Sequence, residues 1–584
     1  MNWKNNWIWL PVIILTLFLG WYVLFQAQIQ QAGDIAEYYG VTESIVNHLG
    51  VKLTTEDRAS LEEVLHPEYF DMPGYYLTGR GGSRYPVHFW FYSLLAVPFR
   101  LILSWLNINP IRSLFLVNLG SIVLAAGVII KRYLRQPTRQ LALLGTVFSS
   151  ALMSFLVWPG PDLWYLSLLL VVPFAFFNQD YWLAAVLAAL ASWHSQPVII
   201  LAAGLTVYAL MQTMALQKNS LLESVKNLEF KYVLLSAGIG LLALFPYSYN
   251  LLAFGVLTPW TKLRDGWTVM RGFGLHNASL WKFYEQWFDL NIGLFWYAPA
   301  VFILSVLSVV KDISEQRGKL FFFISLSLLT AVFYQTNPAW HYGTAGYGPG
   351  RHCVYLLPIL IYFVIQLVKP KLWVLLLAVV IVFTQLRGLA LNGYLEPDFT
   401  TTLDHSPYAK FVLDRAPGIY TPTPEIFIDR TNHTDLGFPT TAVYKVDGMC
   451  AQAYVLLSQK ELLLDQCGWI PQQYAAKFDN SFERVANYER TIVTKEATYW
   501  PDPNACDPNF KPSQLQPYQC LHTREQFLSA ADLTNERRLK TLPEHPYPGV
   551  WKVTWGEPVE LTVPAGYSIN YYSLDGVYVS YPLE

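Results

Sequence analysis

Charged side chains are scarce in this sequence of 584 residues: Asp, Glu, Lys and Arg make up 14% of it, against roughly 25% in ordinary soluble domains. A chain so poor in charge, with hydrophobic residues at 53% gathered into long runs, is not built for water alone. The formal net charge of −2 is uninformative, and no basic stripe suggests a nucleic-acid surface. Cysteine is rare, at five residues, and no C-x-x-C pair or H-E-x-x-H helix is present, so neither a zinc module nor a zinc-protease site is written locally. No glycine-rich loop of the P-loop or dinucleotide-binding kind occurs, nor any internal repeat or low-complexity segment.

What is abundant is aromatic. The 21 Trp and 37 Tyr fit a protein that anchors many helix ends at a membrane interface. Apolar runs lie at 7–25, near 111–131, 139–157, 163–178, 181–193, 196–214, 231–254, 290–310, 319–335, 352–368 and 371–390. The first is long enough to span and has no small-residue cleavage site behind it, which reads as a retained anchor. A further apolar stretch at 86–106 is interrupted by Pro98, Arg100 and Trp105.

Basic clusters decide whether that stretch crosses. Lys131-Arg132 with Arg135 and Arg139, then Lys218, Lys226 and Lys231, then Lys311, Arg317 and Lys319, then Lys369 and Lys371 all fall on the cytoplasmic side only if 86–106 does not span. It is then a juxtamembrane helix in the outer interface. The expectation is an α-helical polytopic membrane protein of about eleven transmembrane helices plus juxtamembrane helices, with the N-terminus cytoplasmic. The membrane module covers 1–395, with an outer loop at 27–110. Residues 396–584 form a C-terminal mixed α/β extracytoplasmic domain, since Pro, Asp, Asn and Thr rise there, no further spanning run appears, and 559–563 and 567–581 alternate as strands do. Four cysteines, Cys450, Cys467, Cys506 and Cys520, lie in that tail. An even number on the oxidising side predicts two disulfides, with nearest-neighbour pairing, 450–467 and 506–520, chosen among three connectivities. Structural zinc is the alternative. Short helices and loops point to a bacterial inner membrane; the sequons at Asn277 and Asn432 leave a eukaryotic lumen open.

Charged groups near the membrane mark the chemistry, because they are costly there. Asp34, Glu37 and Tyr38 share one face of a short helix after the first span, although Asp34 followed by Glu37 is equally a capping box. Arg80, Arg84 and His88 lie at the outer interface in Tyr76–Trp90, where arginine forks suit phosphate oxygens and lipid headgroups are the competing contact, the reading preferred for Arg100. Asp162, in Trp158–Trp164, sits at an outer helix junction where an N-cap is the competing role. The loop after 254 brings Lys262, Arg264, Asp265, Arg271 and His276, and the turn from Trp340 to Leu357 brings His341, Tyr347, Arg351 and His352. Arg351 and His352 point into an outer cavity or snorkel to water, and His194 reads as a satisfied core histidine.

Taken in order, these segments resemble the GT-C fold glycosyltransferases that use polyprenyl-phosphate sugars, such as protein O-mannosyltransferases and the lipid A aminoarabinose transferase. The resemblance covers about 7–395. It rests on Asp34-x-x-x-Tyr38, the interfacial Tyr85-Pro86, Asp162 after the third span, the Gly293-Leu-Phe-Trp-Tyr-Ala-Pro299 run, and the glycine-rich turn leading through Arg351 to Leu357-Pro358. No second acidic residue directly follows Asp34, where some relatives have adjacent carboxylates.

The resemblance implies an inverting transfer of a hexosyl or pentosyl group from a polyprenyl-phosphate donor to a lipid, glycan or protein acceptor at the outer face of the membrane. It implies Asp34 as base, with Asp162 and Glu37 beside it. Arg351, His352, Arg84 and His88 would lie on the donor phosphate, and Tyr38, Lys262, Arg264, His341 and Tyr347 would line the substrate cavity. A divalent cation is possible on this pattern, held with Asp162, and its ligands are left open. A secondary transporter, an O-antigen polymerase or ligase, and a non-enzymatic membrane assembly subunit are the competing readings. Pseudo-symmetric halves with mid-membrane charges, a large loop between later helices, and outer charges paired only as salt bridges would respectively mark them.

Overall fold

A computed structural model describes residues 8–29, 34–65, 76–78, 83–215, 229–255, 278–312, 317–337, 346–367, 372–393, 395–420, 422–434 and 442–455, a few single residues between them, and five short strands beyond 455. The described chain is mostly helical. Each of the eleven apolar runs, and the 86–106 stretch, contains helix.

In chain order the first helices are α1 (Trp9–Trp21), extended by a π-helical turn over Tyr22–Gln26, α2 (Ile35–His48), α3 (Thr55–Glu62), α4 (Phe91–Trp105), α5 (Arg112–Arg132), α6 (Pro137–Phe148) and α7 (Asp162–Phe177). Then come α8 (Tyr181–Ala191), α9 (Val198–Ala215), α10 (Phe230–Ala243), α11 (Phe245–Phe254), α12 (Leu280–Phe288), α13 (Leu294–Tyr297), α14 (Pro299–Asp312) and α15 (Arg317–Tyr334). The last are α16 (Arg351–Val354), α17 (Leu357–Leu367), α18 (Leu372–Leu391), α19 (Pro407–Arg415) and α20 (Pro424–Asn432).

By length and composition, three helical segments among the described residues can cross a membrane: Trp9–Gln26, Arg112–Arg132 and Arg317–Tyr334. The pair α10 and α11, bent by 47°, makes a fourth if taken as one span. Three of the other apolar runs carry interrupted helices, and local chemistry says why. The 139–157 run leaves α-geometry at Ser149 and resumes as a 3₁₀ turn over Ala151–Phe155, which Ser150 opens by accepting the Leu152 N–H. The 290–310 run breaks at Ala298 ahead of Pro299, and the 352–368 run breaks at Tyr355-Leu356 ahead of Pro358. Ala298, directly before a proline, is pushed out of the helical region, while at the second break Pro358 has no N–H to bond back to the Val354 carbonyl.

The chain forms two compact units: 1–261 with 293–331 and 343–399, and 262–292 with 332–342 and 400–584. The centre of the first is α7, apolar on every side and buried along nearly its whole length, as a helix hydrophobic all round must be. It packs on α5, α8 and α17, and its aromatic end stacks Phe177 on Tyr362 at 4.7 Å. A two-stranded antiparallel ribbon, β1 (Tyr76–Thr78) with β2 (Arg84–Pro86), also belongs to this unit, with Leu77 opposite Tyr85.

The second unit takes in two segments lying between apolar helices as well as the tail. Its core gathers Ala409, Leu413, Tyr420, Phe427, Ile428 and Ala442. The sheet β3 (Ala442–Val446), β4 (Met449–Val455), β5 (Phe482–Ala486), β6 (Arg490–Val493) is antiparallel throughout. A second sheet runs β7 (Gln526–Leu528), β9 (Val577–Ser580), β8 (Ser568–Tyr571). The last two fall within the alternating 567–581 stretch; 559–563, Cys467, Cys506, Cys520 and the Cys450 side chain lie outside the described residues.

Candidate active site

The site is built on α2 and on the helix starts that surround it. α4 is fastened along α2: the Ser93 hydroxyl donates to the Tyr38 carbonyl at 2.8 Å, and the Arg100 guanidinium forks onto Glu43 with bonds of 2.8 and 2.6 Å. The Glu43 side chain is wholly buried. Arg100 is therefore not held for lipid headgroups; its fork is committed to a carboxylate 57 residues away in sequence. On another side of α2, Gly40 lets the ribbon approach. A Cβ there would collide with the Tyr76 hydroxyl, which donates to the Glu37 carbonyl at 3.0 Å. That contact explains a glycine inside a helix, where it otherwise costs about 1 kcal/mol relative to alanine.

Asp34 occupies the N-cap position of α2 but makes no capping bond with its side chain, and Glu37 does not turn back to complete a box. Both oxygens of the buried Glu37 carboxylate go to His88 instead: Oε1 accepts the His88 backbone N–H at 2.6 Å and Oε2 lies 2.7 Å from Nδ1. A carboxylate accepts, so Nδ1 carries a proton, and when the ring is neutral its lone pair lies at Nε2. Nε2 faces Asp34 Oδ2 across 3.9 Å. The Tyr38 ring packs against His88 at 5.6 Å and edge-on to Tyr92 at 5.4 Å. Burial first, then the neighbouring Asp34, Glu37 and Asp162 carboxylates, hold the Tyr38 phenol protonated well above its ordinary range, with Arg351 opposing them.

Asp162 is the first residue of α7 rather than its cap. Asn118 on α5 shapes the approach to it, donating to the carbonyls of Phe155, Leu156 and Trp158 and accepting from the Tyr92 hydroxyl at 3.0 Å. The chain then doubles back at Gly160, where a Cβ would press on the Trp158 indole nitrogen. That indole hydrogen-bonds the buried Asp162 carboxylate, and Tyr165 donates to it at 3.3 Å. Arg351, at the start of α16, interacts electrostatically with both Asp162 and Asp34. Its Nε is buried and makes no hydrogen bond.

The structure thus brings Asp34, Glu37, Tyr38, His88, Asp162 and Arg351 into one cluster. His352 follows Arg351, half-buried, and Tyr347 is half-buried in the preceding turn. Arg84 is exposed on β2, where its carbonyl accepts the Leu53 N–H. His341 belongs to the second unit, buried against Asp429 at 2.9 Å. Lys262, Arg264, Asp265, Arg271, His276 and Arg80 lie outside the described residues.

His194 departs from the expected satisfied core histidine. It stands among Tyr38, Phe89, Tyr92 and Trp164, with both ring nitrogens buried and without hydrogen-bond partners. Burial, reinforced by the neighbouring His88, pushes its pKa down to about 3, so the ring is neutral at any physiological pH.

Among the described residues, one group of side chains is close enough to surround a cation: Asp34, Glu37 and His88, with ligand atoms within 4.8 Å of one another. The 2.7 Å contact between Glu37 and Nδ1 is a hydrogen-bond distance with a proton in it, which occupies one of the three ligands. The set fits a hydrogen-bonded histidine–carboxylate pair better than a three-ligand cage, and no step below runs through a metal. Comparison with protein-family models, with curated proteins and with solved structures gives no match.

Proposed function

We propose that the chain is an inverting glycosyltransferase that moves a sugar from a polyprenyl-phosphate donor to a lipid, glycan or protein acceptor at the outer face of a bacterial inner membrane. In this reading the fold is GT-C-like, the eleven apolar helical segments all cross, α4 lies in the outer interface, and residues after 395 form an extracytoplasmic domain. The observation that carries it is the buried Nε of the half-buried Arg351. The guanidinium is drawn between Asp34 and Asp162 yet keeps an Nε with no protein partner. Leaving such a group unpaired costs about 1–3 kcal/mol or more when charged, and an anionic ligand removes that cost.

Each part of the reaction then has a group. The acceptor oxygen attacks the anomeric carbon as the bond from that carbon to the phosphate oxygen breaks, and the electron pair leaves with the phosphate. Negative charge grows on the leaving group, and Arg351 stabilises it more in the transition state than in the ground state. Asp162 steadies Arg351 from behind. Asp34 takes the acceptor proton, and His88 Nε2 stands ready to receive it across the 3.9 Å gap, which closes when catalytic contacts tighten around substrate. A carboxylic acid with an ordinary pKa of about 3.9 gives its proton readily to an imidazole of about 6.5. Glu37 then stabilises the imidazolium through Nδ1–H. A single displacement inverts the anomeric centre.

The test incubates membranes bearing the full chain with radiolabelled polyprenyl-phosphate sugars and follows label into lipids, glycans and proteins. Transfer that Asp34→Asn and Arg351→Gln abolish in folded protein is the expected result. Undiminished transfer by Asp34→Asn would remove it as the base. His88→Gln should slow transfer about tenfold or more, on the scale of general-base effects, and displace the acid limb of the pH–rate profile toward the carboxylate range.

A further inference from the structure

Helix α12 is inside out. Its polar side chains Lys282, Glu285 and Gln286 are buried, while Leu280, Trp281 and Tyr284 are 89%, 49% and 47% exposed. The inward face is bonded within the second unit. Lys282 Nζ pairs with Glu425 at 3.1 Å, Glu285 Oε1 accepts the Thr423 N–H at 2.5 Å, and Gln286 Oε1 accepts from the Gln335 amide at 3.4 Å. Ser279 caps the helix by accepting the Lys282 N–H, and its own N–H goes to Gln335 at 3.0 Å. The rotation of the helix is therefore fixed by the four of these bonds that reach outside it, and the outward face is a consequence of them rather than a loose fit.

That outward face is ordered and carries no charge. Trp281 stacks on Tyr284 at 5.2 Å, and Tyr284 lies against Phe288 at 5.2 Å, so the aromatic rings form one stripe along the helix. Such a stripe is costly in water. We infer that α12 lies flat in the outer headgroup region of the bilayer, its Leu280–Trp281–Tyr284 face toward the acyl chains, and so anchors the second unit to the membrane surface.

Two features select the bilayer over another occupant. Trp and Tyr are the residues that settle at the membrane–water boundary, where one edge of the ring is apolar and the other wet. In the sequence, α12 is also bracketed by membrane-type segments: the apolar α10–α11 pair ends before it at Phe254, and after it only Asp289–Ile292 separate it from the apolar run that opens at Gly293. Four residues span at most about 14 Å of extended chain, so the helix is tethered close to a segment that enters the apolar layer. The inference stands on this face and its tether, takes only the outer side from the topology proposed above, and does not depend on the transfer chemistry.

The test uses the full chain in lipid nanodiscs. A nitroxide is attached at Trp281→Cys or Tyr284→Cys, with the same label at the exposed polar position Lys410→Cys on α19 as a water-facing reference and the unsubstituted chain as blank. Accessibility is read with oxygen, which concentrates in the acyl region, and with a water-soluble nickel chelate. Labels at 281 and 284 should meet oxygen several-fold more, relative to nickel, than the label at 410. Nickel accessibility equal to that at 410 overturns the inference. So does shielding from both reagents, which means protein covers the stripe, and so does shielding only in discs holding two copies, which assigns the face to a second chain.

Discussion

Replacing Arg100 by alanine tests the fastening of α2 to α4 directly. Glu43 is wholly buried and accepts two guanidinium bonds of 2.8 and 2.6 Å, while the Arg100 side chain keeps 20% of its exposure. Removing the guanidinium leaves a carboxylate sealed in the protein without its counter-charge, a loss of about 3–5 kcal/mol in comparable buried pairs. Removing both partners at once is different: Glu43→Leu with Arg100→Met takes away the charge together with its need for a partner, and such replacements are often neutral or stabilising. Thermal unfolding in detergent, followed by intrinsic fluorescence, should therefore place Arg100→Ala far below the wild type and the double variant close to it. The coupling from the double-mutant cycle should exceed about 2 kcal/mol. A single variant no less stable than the double one would refute the reasoning, because the pair would then be an ordinary surface contact worth under about 1 kcal/mol.

Three further outcomes follow from other buried groups. Burial alone would raise the Asp57 pKa, but bonds from His48, Thr54 and Asn47 outweigh it and hold the carboxyl below its ordinary range. Its contribution is then present above the unfolded carboxylate range and lost as pH falls through the lower folded value, so Asp57→Asn should flatten the acid side of a stability–pH curve. Glu285 shifts the opposite way, raised well above its ordinary value by burial and then by Asp289. A raised carboxyl favours the fold most at low pH and loses that advantage as pH rises toward the folded value, so Glu285→Gln should stabilise the second unit at alkaline pH and do little in acid, read by chemical denaturation. His194→Phe removes two ring nitrogens that have no partner, and thermal unfolding should show a stability equal to the wild type or higher by about 1–3 kcal/mol.

How much of this was legible depended on whether the signal was local. The apolar runs announced their helices, and prolines 299 and 358 announced the breaks within two of them. Asp34, Asp162 and Arg351 stood out because a charge at a helix end near the membrane is costly, even though a cap or snorkelling would account for each one singly. Glu37 was ambiguous for a physical reason: at three residues from Asp34 it matches a capping box, and only the fold reveals that its partner is His88, 51 residues on. Arg100 misled for the same reason, since nothing in its neighbourhood hints at Glu43. His194 gave no signal at all, because a histidine between Trp193 and Ser195 looks alike whether its nitrogens are satisfied or not. The second unit was the least readable part. Its α12 buries Lys282 and Glu285 and exposes Leu280 and Trp281, so hydrophobic periodicity there points to the wrong face.

The brevity of the apolar helices has a bearing on the lipid itself. α8 has 11 residues and α7 has 16; at 1.5 Å per residue they are about 16 and 24 Å long, against a hydrocarbon layer of about 30 Å. α7 is enclosed by protein, so under the eleven-helix arrangement proposed above the leaflets must dip only where the partly exposed α8 faces them, since thinning is how a bilayer meets a short hydrophobic wall. A locally thin annulus brings the headgroup plane down toward Asp162 and the start of α7. A lipid-borne phosphate would then meet the site at its own resting depth, without being drawn out of the layer.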